Sequence, residues 1–379
     1  MTTPHYIALA IALSMAFSAY CQDTSVPEYG KMYRLAAPSL AITPDARGAG
    51  MGDLGVATSA DSHSIYHNLS KLPFNDKVWG VSANYTPWMS QVTKDMSIAY
   101  LDGFYRWGIK LPQAVSGSFR YFNIGSVKAF PAGGKDPVEI RPNEWALDAG
   151  YALKYHKYWS SGVTLRVMHA DMKYSGESHT PTSTSVMVDL STTFRIPLRI
   201  NERDMNLQTG LSLRNLGSRI SFDGGKSHMY LPASLNFGVG AMGKISEDLD
   251  IEIALELNRL LVPTVPSPLS EEYDEKLKEL ENISAAKGWV SSWNDSMGGF
   301  SDELKEFSVG IGAEATYDNF LSGRLGYRYK DASVGFGSGI YLGIGVLFRQ
   351  YNLDISYYTG GGRDNPLNNT TRFSVSANF

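Results

Sequence analysis

The chain has 379 residues, a formal net charge of −4 and 19% charged residues. This mildly acidic composition makes it a poor candidate for a nucleic-acid-binding protein, and its 12% aromatic content excludes a disordered chain. The single cysteine excludes a disulfide scaffold and a metal site of several thiolates, while the length alone suggests two or more soluble domains.

The chain begins with a segment, residues 1–21, that is typical of a secretory signal peptide. Residues 7–20 form an apolar run that is too short to span a bilayer as a helix. Ala19 and Cys21 fit the small-x-small rule for cleavage, although the residues before the apolar run include no Lys or Arg. Cys21 could instead accept a lipid, but Tyr20 is bulkier than the residue that usually precedes a lipidated cysteine.

Residues 22–77 are predicted to form a plug-like segment within the lumen of the barrel that follows. Residues 50–55 read GMGDLG, which has the spacing of a dinucleotide phosphate loop, but no strand precedes them, so we expect compactly folded, flexible backbone. His63 and His67 have the spacing of two metal ligands on one helical turn. No third ligand is evident beside them, so we prefer ordinary polar side chains and expect neither a metal nor a cofactor.

From residue 78 onward, apolar and polar residues alternate in successive segments. Many of these segments have about ten residues, which suits a tilted membrane strand. Residues 95–111 could form two strands, but outer-membrane barrels have even strand numbers, so we predict one strand with a bulge or kink at Gly103. The predicted strands are 78–86, 95–111, 114–123, 144–155, 162–171, 185–196, 205–214, 233–242, 249–257, 307–317, 321–329, 340–348, 353–358 and 371–379.

Alternation alone would also suit an aqueous β-sandwich, but two further features favour a membrane barrel. Short and long connections alternate along the chain, and aromatic residues cluster at strand ends, as in the girdles of outer-membrane barrels. No mature segment offers 18 consecutive apolar residues, so we expect no transmembrane helix. We therefore predict an all-β fold, a transmembrane antiparallel β-barrel of about 14 strands over residues 78–379, that crosses the outer membrane many times.

The last strand carries a predicted membrane-insertion signal. Phe373, Val375 and the terminal Phe379 lie in alternation with polar residues. A terminal aromatic residue on an amphipathic last strand resembles the signal that the outer-membrane assembly machinery reads.

The most informative connection is the long extracellular loop 258–305. A loop of this length is uncommon unless it binds, caps or is disordered, and its aromatic content argues against disorder. Its aromatic and apolar side chains could fold back onto the barrel mouth as a lid, but we favour a partner-docking surface, which typically uses exposed anchors of this kind. The candidate contact residues are Leu260, Leu261, Val262, Trp289, Trp293 and Phe300.

Several segments together resemble the PorV family, the outer-membrane barrels of the type IX secretion system. They are LAITPDAR at 40–47, GMGDLGVA at 50–57, SFRYF at 118–122, NRLLVPT at 258–264 and GGFSDELKE at 298–306. The resemblance runs through most of the mature chain, and it implies a fourteen-stranded barrel similar to the FadL fatty-acid channels. One departure is NLS at 68–70, where FadL-like barrels commonly carry an Asn-Pro-Ala motif in the plug.

The resemblance implies secretion rather than catalysis. PorV proteins bind the folded C-terminal signal domains of cargo at the outer membrane, accept them from the SprA-type translocon and deliver them to the PorU-type sortase for surface attachment. The expected partners are therefore these three proteins and outer-membrane lipid, with no nucleic acid.

Three other functions remain as alternatives. A FadL-like transporter of hydrophobic small molecules rests on fold analogy. An enzyme acting on lipid would need a nucleophile and a base, and no Ser/His/Asp arrangement stands out in the sequence. A soluble secreted β-protein is the third alternative.

Overall fold

A computed structural model describes residues 31–129, 136–173, 182–200, 202–225, 227–266, 271, 273–295, 299–335, 337–361 and 365–379. The predicted signal peptide, residues 1–21, and the beginning of the predicted plug-like segment lie outside the described residues.

Fourteen antiparallel strands form one closed barrel. Each strand pairs with its neighbours in sequence, and β14 closes the ring by pairing with β1, where Phe373 lies opposite Tyr85. The strands, numbered in chain order, are β1 Trp79–Pro87, β2 Ser97–Trp107, β3 Gln113–Asn123, β4 Asn143–His156, β5 Trp159–Asp171, β6 Thr182–Ile200, β7 Arg203–Gly217, β8 Ser234–Lys244, β9 Leu249–Leu260, β10 Phe307–Tyr317, β11 Leu321–Tyr329, β12 Gly339–Phe348, β13 Tyr351–Gly360 and β14 Thr370–Asn378.

The predicted barrel and its strand number are confirmed, and so is the single strand in the ambiguous segment 95–111. The expected irregularity at Gly103 is wrong, because the pairing of β2 with both neighbours runs through this glycine without a shift of register. Shifts occur instead between Leu213 and Leu216 and between Lys154 and His156.

The wall of the barrel has its apolar residues outside and its polar residues inside. In β5, Val163 and Leu165 are 40% and 57% exposed, whereas Thr164 and Arg166 between them are 1% and 4% exposed. An aqueous protein buries its apolar face, so this inverted pattern is that of a barrel whose outer surface faces lipid.

The connections differ in length between the two ends of the barrel. Short turns follow the even-numbered strands up to β12, and long loops follow the odd-numbered strands. Both β1 and β14 meet at the short-turn end, where the N–H of Val78 donates to the carbonyl of Phe379 at 2.6 Å. Within the described residues, no helix is long and apolar enough to cross a membrane.

Besides the barrel strands, the described residues form helices and short strands that are not part of the ring. The residues before β1 include two 3-10 helices, and a third follows β11. The helices are α1 Ala46–Gly50, α2 Ser64–His67, α3 Tyr273–Glu281, α4 Ala285–Ser291 and α5 Phe300–Lys305, with 3-10 helices at Pro38–Ala41, Leu69–Phe74 and Ala332–Val334. Two small sheets pair Lys31–Tyr33 with Thr264–Pro266 and Val127–Ala129 with Val138–Ile140.

The described residues before β1 pack against the inner face of the barrel on all sides. Their path begins at the long-loop end, where Lys31–Tyr33 pairs with a segment of the loop after β9, and ends at the short-turn end, where β1 starts. Contacts with the wall include Ala46 N–H to Ser374 Oγ at 2.8 Å, Asn68 Nδ2 to Thr193 Oγ1 at 3.0 Å, Ser160 Oγ to the carbonyl of Ser70, and Arg372 Nε to the carbonyl of Thr43 at 3.1 Å.

Glycines in the wall allow the backbone of residues 50–57 to lie directly against it. A Cβ atom added at Gly312 would lie 2.0 Å from the carbonyl oxygen of Met51, and one at Gly326 would lie 2.2 Å from the amide nitrogen of Gly52. Backbone cannot yield as a flexible side chain can. These inward glycines therefore determine how closely the segment approaches β10 and β11.

We predict that Gly326→Ala destabilises the barrel by about 1–3 kcal/mol, because the added methyl group overpacks a backbone contact. Gly323 on the same strand faces outward with nothing near its Cβ position, so Gly323→Ala is the matched control. Thermal unfolding in detergent, followed by heat-modifiable gel mobility, should show a lower midpoint for Gly326→Ala alone. Equal midpoints for the two variants would contradict the close approach.

Candidate functional site

Arg259 organises the long loop at the point where β9 leaves the barrel wall. Its side chain is buried, and its guanidinium donates to the carbonyl of Ser292 and to the carboxylates of Glu303 and Glu306, the last at 2.9 Å. The same group lies 4.4 Å from the ring centre of Trp293. A planar fork of five N–H donors can satisfy several acceptors and an aromatic face together. Arg259 thereby fixes the end of α4 and all of α5 against the barrel, and we call this unit the Arg259 platform.

The N-terminal strand Lys31–Tyr33 lies beside the Arg259 platform. It pairs with Thr264–Pro266, and the N–H of Thr264 donates to Asp295 Oδ2 at 2.7 Å. Burial raises the pKa of the Tyr33 phenol well above its ordinary value, and the nearby carboxylate of Glu306 raises it further. Tyr33 is therefore neutral and belongs to the packed base of the platform.

Three carboxylates of the platform have the proximity of metal ligands. One oxygen each of Asp295, Glu303 and Glu306 lies within 4.8 Å of the others. The guanidinium of Arg259 already binds Glu303 and Glu306. This internal cation, rather than a metal ion, accounts for the proximity of the carboxylates.

The structure separates the candidate contact residues of the loop into buried and accessible ones. Leu261 and Val262 are only 6% and 1% exposed, so their prediction as exposed docking residues is wrong: they pack beneath the loop. Leu260 and Trp289 are partly buried, whereas Trp293 and Phe300 are 44% and 78% exposed. Burial thus divides the candidate contact residues into two groups, and their role in docking stays a prediction.

Two exposed residues of the platform were missed in the sequence. Val290 on α4 and Leu304 on α5 are 74% and 52% exposed. Phe300 and Leu304 are four residues apart and share one helical face, a spacing that could have been read from the sequence.

A network of ion pairs fills the lumen. Arg47 on α1 contacts Asp61 at 2.7 Å, Glu252 on β9 at 3.1 Å and Glu314 on β10 at 2.9 Å. Arg324 on β11 also binds Glu314. A buried carboxylate without a cation is costly, so the wall and the N-terminal segment depend on each other for charge compensation.

Each histidine of the His63 and His67 pair has its own carboxylate. His63 Nδ1 lies 2.8 Å from Asp102 on β2, and His67 Nε2 lies 2.8 Å from Asp45. The two rings therefore serve separate hydrogen bonds within the lumen rather than one shared metal ion.

The end of the GMGDLG segment is bound to a carboxylate of the wall. The N–H groups of Gly55 and Val56 both donate to Glu256 Oε1 at 2.6 Å. A bound phosphate would need such N–H groups, so these contacts support the structural interpretation of the motif.

The fold brings one serine, one histidine and one aspartate together that the sequence did not suggest. The hydroxyl of Ser82 donates to Asp102, and it lies 3.3 Å from His63 Nδ1. In a hydrolase triad, the serine and the aspartate bind opposite nitrogens of the imidazole. Here both face Nδ1, so the imidazole cannot relay a proton from serine while the carboxylate orients it.

Two small gaps lie in the lumen, one beside Asp45 and His67 and the other beside Arg120 and Glu144, and neither has room for a water molecule. Ligand pockets for drug-sized molecules have about 300–1,000 Å³. These two spaces are therefore too small for such a ligand.

The residues of the predicted insertion signal all face outward at the seam. Phe373, Val375 and Phe379 are 40%, 53% and 40% exposed. Phe379 stacks on Trp79 of β1 with ring centres 4.1 Å apart. Recognition of these residues by the assembly machinery stays a prediction.

Comparison with known proteins gives one family match. The family model described as "Type IX secretion system protein PorV" matches residues 28–267, which is more than half of the chain. No curated protein matches the sequence.

Three solved structures illustrate the similarity to other barrels. The toluene transporter TbuX of Ralstonia pickettii has 11% identity over 88% of this chain and 96% of its own, with a TM-score of 0.46. The toluene transporter TodX of Pseudomonas putida has 10% identity over 87% and 95%, with a TM-score of 0.45. A FadL homologue of Pseudomonas aeruginosa has 9% identity over 89% and 98%, with a TM-score of 0.45. The fold assignment rests on the strand pairing itself.

We predict that Arg259→Met releases the Arg259 platform while the barrel stays closed. Removing the cation breaks the ion pairs of two buried carboxylates, Glu303 and Glu306, which costs about 3 kcal/mol or more. Hydrogen exchange in α4 and α5 should accelerate by about a hundredfold, since each 1.4 kcal/mol corresponds to a factor of ten. Arg141→Met is the control, because the Arg141 side chain is 77% exposed. Unchanged exchange in Arg259→Met would contradict the anchoring role.

Proposed function

The chain belongs to the PorV family of the type IX secretion system, and we propose that it is a non-enzymatic component of that system which binds the C-terminal signal domains of cargo. It accepts these domains from the SprA-type translocon and delivers them to the PorU-type sortase. The barrel fold and the family together indicate the outer membrane as its location.

The exposed apolar side chains of the Arg259 platform are the observation that carries this proposal. Phe300 and Val290 are 78% and 74% exposed, yet they stand on helices held by a buried arginine. Exposed apolar side chains on a fixed surface mark interaction sites, and fixed anchors lose little conformational freedom on binding. Long loops of outer-membrane barrels face the cell exterior, so the platform lies where cargo emerges.

The filled lumen supports secretion over the alternative of a FadL-like transporter of hydrophobic small molecules. The N-terminal segment binds the wall through ion pairs of Arg47 with Glu252 and Glu314. Such a charged interior offers little to an apolar solute. We propose that this segment is a plug that keeps the lumen closed while cargo is handled at the loop end.

The internal contacts of Ser82 and His63 also support a non-enzymatic role. The group nearest to a hydrolase triad is buried in the lumen and has the wrong geometry for proton relay. Its hydrogen bonds hold the N-terminal segment to β2.

We predict that Trp293→Ala combined with Phe300→Ala weakens cargo capture at least tenfold, because aromatic anchors at interfaces often contribute 2 kcal/mol or more. The measurement is co-purification of a cargo C-terminal domain with the detergent-solubilised barrel. Val92→Ala in the loop after β1 is the control, since Val92 is an equally apolar residue that is 66% exposed. Deleting residues 268–300 should abolish capture, and undiminished capture by that barrel would refute the assignment to the loop.

We predict that Arg47→Met opens the plug. The substitution leaves Asp61, Glu252 and Glu314 short of a cation, so water should enter between the segment and the wall. Conductance in planar bilayers should be negligible for the unmodified barrel and should rise for Arg47→Met but not for Arg141→Met. An unmodified barrel that already passes small apolar solutes would favour the transporter alternative.

A further inference from the structure

The N-terminal chain pairs first with one long loop and then with another. At its start, Lys31, Met32 and Tyr33 pair with Pro266, Val265 and Thr264. Further along, the N–H of Ala36 donates to the carbonyl of Tyr230 at 2.8 Å, and Tyr230 N–H donates to Arg34 at 3.3 Å. Residues 31–36 thus occupy a strand-shaped groove between the loops after β7 and β9, which we call the strand groove.

The edge at 264–266 is held in place by the loop and offers little bonding to the N-terminal strand. Pro263 and Pro266 have no N–H, and the N–H of Thr264 donates to Asp295. Of residues 264–266, Val265 therefore has the N–H that remains for bonding to a paired strand. A backbone hydrogen bond contributes only about 0.5–1.5 kcal/mol net, so this pairing is weak.

The chain that follows the N-terminal strand passes through one left-handed residue and then binds the barrel wall. Ala37 has φ 49° and ψ 54°, a left-handed conformation that costs a non-glycine residue about 1–2 kcal/mol. Leu40 is 4% exposed, and Nη1 of Arg120 donates to the carbonyls of Ser39 and Ile42, so residues 39–42 stay bound to the barrel wall. Arg120 is 4% exposed, and its Nη2 has no hydrogen-bond partner.

The chain from Asp45 onward is bound differently. Asp45 caps α1 through the N–H of Gly48 and also binds His67, and Arg47 contacts three carboxylates. Residues 31–33 can therefore leave the edge at 264–266 while the contacts of the following chain with the barrel stay in place.

We propose that the N-terminal strand is an internal placeholder, which means that it occupies the edge at 264–266 until cargo binds. An extended segment of a cargo C-terminal domain then displaces it and pairs with this edge. This mode is β-strand addition, in which backbone hydrogen bonds supply affinity and neighbouring side chains supply selectivity. The groove already accommodates an extended chain of this protein, which shows the shape of the ligand that fits. The inference rests on the proposed cargo-binding function and assigns its recognition mode.

A reversible disulfide between the N-terminal strand and the edge at 264–266 tests whether cargo must displace the strand. Met32→Cys with Val265→Cys places two thiols at directly paired positions, where Cα atoms lie within the range for a disulfide. The oxidised protein should capture cargo at least tenfold more weakly than its reduced form. Lys128→Cys with Glu139→Cys is the control, because it creates the same kind of cross-strand lock within another loop. Equal capture by the oxidised and reduced Met32/Val265 variant would overturn strand exchange.

A second variant acts in the opposite direction. Met32→Pro removes the N–H of residue 32 and weakens the placeholder, so cargo capture should become several times tighter. Weaker capture by Met32→Pro would mean that the strand only supports the platform, and it would overturn the inference. If the unmodified barrel captures no cargo, the proposed function itself fails. If it captures cargo and the oxidised variant does so equally well, the strand groove alone fails.

Discussion

Two carboxylates face each other across adjacent strands of the inner wall, and the N-terminal segment supplies a cation between them. A closed ring of strands satisfies every backbone group between neighbours, which permits an apolar outer surface in lipid. The alternation of side chains then directs the polar residues of each strand into the lumen. Glu252 and Glu314 on adjacent strands β9 and β10 would repel one another without Arg47 between them. The N-terminal segment is thus part of the electrostatic structure of the wall.

The barrel could be predicted because it depends on a hydropathy pattern that is local and periodic in the sequence. A period of two in hydropathy specifies strands, their two faces and their length, and the even strand number settled the ambiguous segment 95–111 correctly. The rule gave no reason for a bulge at Gly103, and none is present. Glycine can sit in a strand because another backbone approaches it, and the inward glycines at 312 and 326 illustrate that use.

The candidate site was less predictable because it depends on contacts between residues far apart in sequence. The apolar character of the loop suggested docking, but it could not distinguish Val262, which is buried, from Phe300, which is exposed. The difference arises from Arg259, whose hydrogen bonds to Ser292 and Glu303 orient the helices. Similarly, His63 and His67 were expected to be ordinary polar side chains, but their spacing could not show that the carboxylates that engage them come from β2 and from the segment before α1. No periodic pattern encodes such partners.

The path of the N-terminal segment has a consequence for the order of events during assembly. The described chain runs from the long-loop end through the lumen to β1 at the opposite end, and it contacts the wall on all sides. If the segment entered a barrel that was already closed, it would have to slide past fourteen fixed strands and form these contacts with the wall only afterwards. Enclosing the segment while the ring is still open avoids this cost, and the junction of β14 with β1 is where the first and last strands of the ring meet. The stacked rings of Phe379 and Trp79 lie at that junction, where they stabilise the pairing that closes the barrel around the N-terminal segment.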